Sequence, residues 1–191
     1  GGHRADDGHL VRHLGDVGKH VRQPKAALAT RLEAVPGVTS AMPLVKGQVM
    51  ASSDGRNAGV EVFGIAYDDL LAIPRIAVSS RARGDITRFE EGIAIGEGVA
   101  RELNAQVGDR IRIISPEGVR TAFGTSPRVN AYEVVYVFSA GRYDIDRTRV
   151  YLPLAEAQSF FNRDGVADEV EVMLETPEAV ESLTYQLLHA G

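Results

Sequence analysis

The chain has 191 residues, 44% hydrophobic and 25% charged, with no Cys, no Trp and a formal net charge of −5. This composition is close to the globular average and excludes collagen-like, disordered and disulfide-stapled classes. Its acidity argues against nucleic acid as the main partner, and the missing cysteine removes thiol catalysis, redox sensing and zinc–thiolate sites.

In chain order, residues 8–14 are a candidate strand. Pro24 suits a first helical turn, Leu28, Leu32 and Val35 follow at helical spacing, and Pro36-Gly37 ends that helix. Residues 39–52 and 59–65 alternate as strands around Ser53-Asp54-Gly55-Arg56-Asn57, which predicts a hairpin. Residues 67–73 and 75–89 are punctuated by Arg and Pro and are expected to be connections. Residues 93–96 form a strand running into a helix over 97–104, with Val99 and Leu103 on its buried side. Strands are expected at 110–114, 132–138, 148–152 and 170–174. The second of these is apolar on both faces apart from Glu133 and belongs centrally in a sheet. Pro153 opens a helix with Leu154, Ala157 and Phe161 as its stripe, and Thr176-Pro177 opens a last one with Val180, Leu183, Leu187 and Leu188.

That order predicts an α+β fold in which the two ends form one split βαβ unit. The expected subdomains are residues 1–66 with 167–191, and an inserted, mixed β-rich subdomain over 67–166. No apolar run approaches the ~20 residues of a membrane span. The start Gly1-Gly2-His3, without Met, is expected of a fragment of something larger.

Gly96-Glu97-Gly98, between a strand and a helix, is the setting of a phosphate-cradling turn. Arg101 stands where a third glycine belongs and Glu97 places negative charge at the phosphate position, so the turn is expected to be structural. Four of the five histidines, His3, His9, His13 and His20, cluster near the start; without a Glu partner they are expected to be solvated rather than metal-bound. No serine stands in G-x-S-x-G, and no nucleophile, base and oxyanion donors come together. Asp144 and Asp146 alternate with Arg142, Arg147 and Arg149 as a solvated charge ladder. No catalytic, cofactor-binding or metal residue is expected, and the chain is not expected to be an enzyme.

The segment joining the strands at 110–114 and 132–138 is longer than a hairpin needs. Pro116-Glu117-Gly118 offers a tight turn, after which residues 123–128 are expected to project as a second excursion. Phe123 is an apolar side chain in a polar loop, and Pro127 fixes its φ and stiffens the segment. Between positions 110 and 128 stand four Arg and one acid, a local excess of positive charge in an acidic chain. A stiff, positive, apolar-tipped arm suits protein docking, and an ordinary loop folding Phe123 back onto the sheet is the alternative.

Residues 93–103 and 107–118, the Pro-bearing loop over 121–128 and residues 151–161 together resemble the periplasmic domain of the LolC/LolE lipoprotein-releasing permeases. The glycine turn at 96–98 and Val107-Gly108-Asp109 are shared with the wider MacB-like periplasmic core family, and the loop favours LolC/LolE. The resemblance implies a porter-like split subdomain with a Sabre-like insertion, on the periplasmic face of the bacterial inner membrane. It implies membrane helices before and after the chain, a cytoplasmic ATPase subunit and an identical or paralogous permease partner. It also implies lipoprotein substrates and a periplasmic lipoprotein carrier of the LolA type, with no cofactor. Carried over, the carrier-binding hook falls on Phe123, Gly124, Thr125, Ser126, Pro127 and Arg128, with Arg128 and Arg120 at its root. The rival readings are a MacB-like efflux or signalling domain that contacts a periplasmic adaptor and, more distantly, a nucleotide-binding enzyme built on Gly96 and Gly98.

Overall fold

The computed structural model describes residues 12–13, 31–163, 165 and 167–174. Its strands are β1 (Arg12–His13), β2 (Val38–Ser53), β3 (Arg56–Ile65), β4 (Arg83–Gly84), β5 (Ile93–Gly96), β6 (Arg110–Thr121), β7 (Gly124–Phe138), β8 (Arg149–Pro153) and β9 (Glu169–Leu174). The helices are α1 (Tyr67–Leu71), α2 (Pro74–Ala77), α3 (Glu97–Leu103), α4 (Tyr143–Asp146) and α5 (Leu154–Phe160), with a 3-10 helix over Ile86–Glu91. The class is α+β with strands dominating, as the patterning predicts. Residues 31–33 are helical and lie within the helix expected over 24–35. The helix expected from Thr176 lies outside the described residues, as do His3, His9, His20 and His189.

Two compact units divide between Pro43 and Leu44 and again between Gly165 and Val166. Residues 44–66, grouped with the chain ends on sequence grounds, therefore pack with the segment expected to be the insertion. In the first unit β9 lies between β1 and β2, and β1 pairs antiparallel with β9, Arg12 opposite Val172. Leu32, Ala41, Val170 and Val172 form its core, with Val35 and Val38 against them.

The second unit is built around a closed ring of six strands. β2 pairs with β3 and β6, β6 with β7, β7 with β5, β5 with β8, and β8 returns to β3. The β3–β8 and β5–β7 pairs are parallel and the rest antiparallel. The β2–β3 hairpin turns through Asp54 and Gly55 at φ 45° and 79°, a two-residue turn whose positive φ values match the twist of the flanking strands. Alternation places Val60 and Val62 of β3, Ile111 and Ile113 of β6, and Val150 and Leu152 of β8 in one cluster. Burying each such aliphatic side chain contributes about 1.5–3 kcal/mol relative to leaving it in water.

Both α3 and α5 pack against β3 and add Val99, Leu103, Ala157 and Phe160 to that cluster. Phe63, Tyr151 and Phe138 meet on the other face, with ring centroids 5.7 and 5.4 Å apart along that row. Leu70 of α1, Ile76 of α2 and Phe89 of the 3-10 helix are fully buried, and the Tyr136 hydroxyl donates to the Ile76 carbonyl at 2.6 Å. The stretch expected to be mere connection thus supplies helices whose apolar residues are part of the packed interior.

Candidate partner-binding site

β6 and β7 pair over a longer stretch than the β2–β3 hairpin, residues 110–121 against 45–53, and they outgrow the ring. β6 pairs with β2 only from Arg112 to Ile114, yet it runs on to Thr121 opposite Gly124. Residues 116–127 therefore form an arm of two strands beyond the ring. The turn expected at Pro116-Glu117-Gly118 does not reverse the chain. Those three residues are an irregularity in β6, between the pairs Ser115–Arg128 and Val119–Ser126. Proline has no N–H for the ladder, which favours a break there. At Gly118 a Cβ would lie 1.4 Å from the Ser126 carbonyl oxygen, so no side chain fits between the strands at that point.

The reversal lies at Ala122 and Phe123. Thr121 organises it: its hydroxyl donates to the Gly124 carbonyl at 2.8 Å and accepts from the Phe123 amide at 3.3 Å. Phe123 is fully exposed at the tip, and Gly124, Thr125, Ser126 and Pro127 follow it as exposed residues along β7. Arg120 is exposed opposite Thr125. Arg128 is not: it is half-buried, and one guanidinium nitrogen donates to the carbonyls of Ser159 at 2.6 Å and Phe160 at 3.1 Å. The six residues expected to form one excursion are thus the tip and the outgoing strand of a single hairpin, with the two arginines in different settings.

The exposed face of the ring below the arm adds groups that sequence reasoning passed over. Met50, Ile114 and Val129 stand in register on three adjacent strands; Met50 and Val129 are exposed and Ile114 is half-exposed. Arg112 is exposed two pairs further along, on the same face, and Arg110 reaches the Ala131 carbonyl at 3.3 Å. The signal was present in the alternation of Arg110, Arg112 and Ile114 against Ile111 and Ile113. An isoleucine in phase with two arginines marks an apolar spot on a polar face.

Tyr132 and Glu156 tie the base of β7 to α5. The phenol donates to the Glu156 carboxylate at 2.8 Å and accepts from the Asn130 amide at 3.1 Å. Burial is the main cause that raises the Tyr132 pKa above its ordinary value; the Asn130 bond opposes this and Glu156 adds to it.

A concavity of about 590 Å³ lies beside α3 and is lined by Arg81, Glu97, Arg101, Tyr143 and Asp146 among others. Several of its charges are engaged within the chain. Glu97 takes Arg81 at 3.2 Å, Arg101 at 3.6 Å and the Ser139 hydroxyl at 3.0 Å, while Asp146 accepts the amides of Ala140 and Gly141. The glycines of Gly96-Glu97-Gly98 have a packing role. A Cβ on Gly96 would meet the Asp146 carbonyl oxygen at 2.2 Å, and one on Gly98 would meet the Arg147 Cα at 2.8 Å. Asp144 and Asp146 lie on α4, with Arg142 paired to Asp144 at 3.2 Å. Among the described residues no group of three or more His, Cys, Asp or Glu is placed to hold a metal ion. No helix among them is long and apolar enough to cross a membrane.

Comparison with known proteins agrees with this architecture. The chain is 27% identical to the lipoprotein-releasing system transmembrane protein LolC of Neisseria meningitidis, over 80% of its own length and 37% of that protein. It is 28% identical to LolE of Haemophilus influenzae, over 85% of its length and 39% of that protein. The chain thus corresponds to about two fifths of these relatives. Among solved structures, the periplasmic region of MacB from Actinobacillus actinomycetemcomitans superposes with a TM-score of 0.58 at 13% identity, covering 90% of this chain and 77% of that one. The extracellular domain of the noncanonic ABC-type transporter YknZ from Gram-positive bacteria gives 0.55 at 15% identity, covering 81% and 74%. The family model of the MacB-like periplasmic core domain matches residues 5–189, and the chain belongs to that family.

Proposed function

We propose that this chain is the periplasmic domain of a lipoprotein-releasing ABC transporter permease, and that the arm over residues 116–127 docks a periplasmic lipoprotein carrier. Its role is recognition, with chemistry left to an ATPase subunit and a partner permease in the assembled transporter. The observation that carries the reading is a fully exposed Phe123 at the tip of a proline-bearing hairpin. A monomeric surface gains nothing from an aromatic ring held out in water, whereas an aromatic anchor entering an apolar pocket is a typical binding hot spot. Arg120 and Arg112 give the approach a positive field, which steers an acidic partner more than it adds affinity. The relatives named LolC and LolE supply the lipoprotein context.

The test is capture of a LolA-type carrier by the chain and by the double variant Phe123→Ala, Pro127→Ala. Loss of capture with a nearly unchanged thermal melt is expected. Undiminished capture by the folded variant removes the arm from the docking site. Co-purification of a periplasmic adaptor in place of a carrier favours the efflux or signalling reading.

A further inference from the structure

Arg128 was expected at the root of the docking arm as one of its positive charges. Its surroundings give it other work. The guanidinium faces the last turn of α5 and donates to two carbonyls there, Ser159, which also accepts the Asn162 amide, and Phe160. Four residues on along β7, Tyr132 bonds to Glu156 in the first turn of the same helix. One face of β7 therefore grips α5 near both ends.

The position along the hairpin matters as much as the bonds. The pair Ser115–Arg128 is the last before the irregularity in β6, and β6 has left β2 after Ile114. The ladder is weakest at the point where the arm departs from the ring. Beyond that point the described side-chain bonds, those of Thr121, stay within the hairpin.

We propose that Arg128 is a positioning residue that clasps the arm to α5 and so fixes the angle at which Phe123 is presented. One guanidinium nitrogen serves both carbonyls from the end of a planar, rigid group, and the shorter reach and freely rotating ammonium of a lysine do not hold the same two acceptors in that geometry. Freed from the clasp, the arm samples many angles, and only the competent fraction binds. The binding part of this inference rests on the proposed docking function; the clasp itself does not.

The chain contains no cysteine, so a spin-label pair can be installed without background through Thr125→Cys on the arm and Glu102→Cys on α3, both exposed. The labelled parent is expected to give one narrow distance distribution, and Arg128→Ala to broaden it about twofold as the arm loosens locally. An unchanged width in folded Arg128→Ala overturns the clasp. Should that variant fail to fold, Arg128→Lys carries the same measurement, with broadening again expected and parent-like width overturning it.

In carrier titrations, Arg128→Lys keeps the charge and is expected to bind about tenfold more weakly because fewer arms are correctly set. Parent-like affinity together with parent-like width shows that Arg128 does not position the arm. A parent chain that binds no carrier refutes the docking function, while the distance measurement still decides the clasp.

Discussion

The two halves of the β6–β7 hairpin share one ladder and differ in almost everything else. The base, residues 110–115 against 128–133, is part of the closed ring, and its Ile111 and Ile113 are fully buried. The arm, residues 116–127, has no described side chain that is buried, and it ends in an exposed aromatic ring. Stability is therefore written in the base, while the arm buries none of its described side chains and is left open for the docking role proposed above. Substitutions should sort accordingly, with those in the base moving the unfolding transition and those in the arm leaving it in place.

The sharpest way to break that contrast is at Ile113. Replacing it by Ala removes buried methyl groups and leaves a cavity, which should cost about 2–5 kcal/mol in denaturant unfolding. A loss comparable to that of an exposed site would mean that the ring is not packed there.

Tyr132 stands between the two halves and should show a smaller effect. Tyr132→Phe removes a bond to Glu156 and is expected to cost about 0.5–1.5 kcal/mol near neutral pH. The phenol pKa is raised in the folded state, chiefly by burial. Its protonated form is therefore favoured by folding, and the resulting stability is fully present below the unfolded value of about 10 and fades as pH rises through the folded one. Denaturation midpoints measured on the alkaline side should fall more gently for Tyr132→Phe than for the parent; parallel curves would remove the titration argument.

The smallest expected effect belongs to Arg112 and Arg120. Replacing both by Ala should change stability by no more than about 0.5 kcal/mol. Carrier association should become slower and less dependent on salt, since exposed charges act within a Debye length of about 8 Å at physiological ionic strength. Association rates that ignore both the substitutions and the salt would leave the arm's charge without a role.

Local chemistry made much of this legible before any coordinates. Asp54-Gly55 sets a hairpin because both residues tolerate positive φ, and the strand–helix step at Gly96 follows from a short apolar run meeting an amphipathic one. The polar, Gly/Pro-punctuated neighbours of Phe123 left two outcomes open, a projecting tip or a ring folded back onto the sheet, and its full exposure decides for the first. Longer-range matters were not legible. Pro116-Glu117-Gly118 has the composition of a reversing turn, and only the pairing of Val119 with Ser126 shows the chain continuing outward. Ring closure depends on β8 returning to β3 across more than eighty residues, which no local pattern encodes. The place of residues 44–66 follows from that closure. Arg128 illustrates the same gap. Its charge is visible in the sequence, but its engagement with α5 depends on where a helix thirty residues away comes to rest.

Closure of the ring has one more consequence. Each of its six strands has a strand neighbour on both sides, so where those pairings overlap the amides and carbonyls are not open to a foreign strand. Where the hairpin outgrows the ring, each of its two strands keeps an outer margin. Pro127 stands on one of them and offers no N–H to a newcomer, so the exposed segment is also guarded against unwanted sheet growth and self-association.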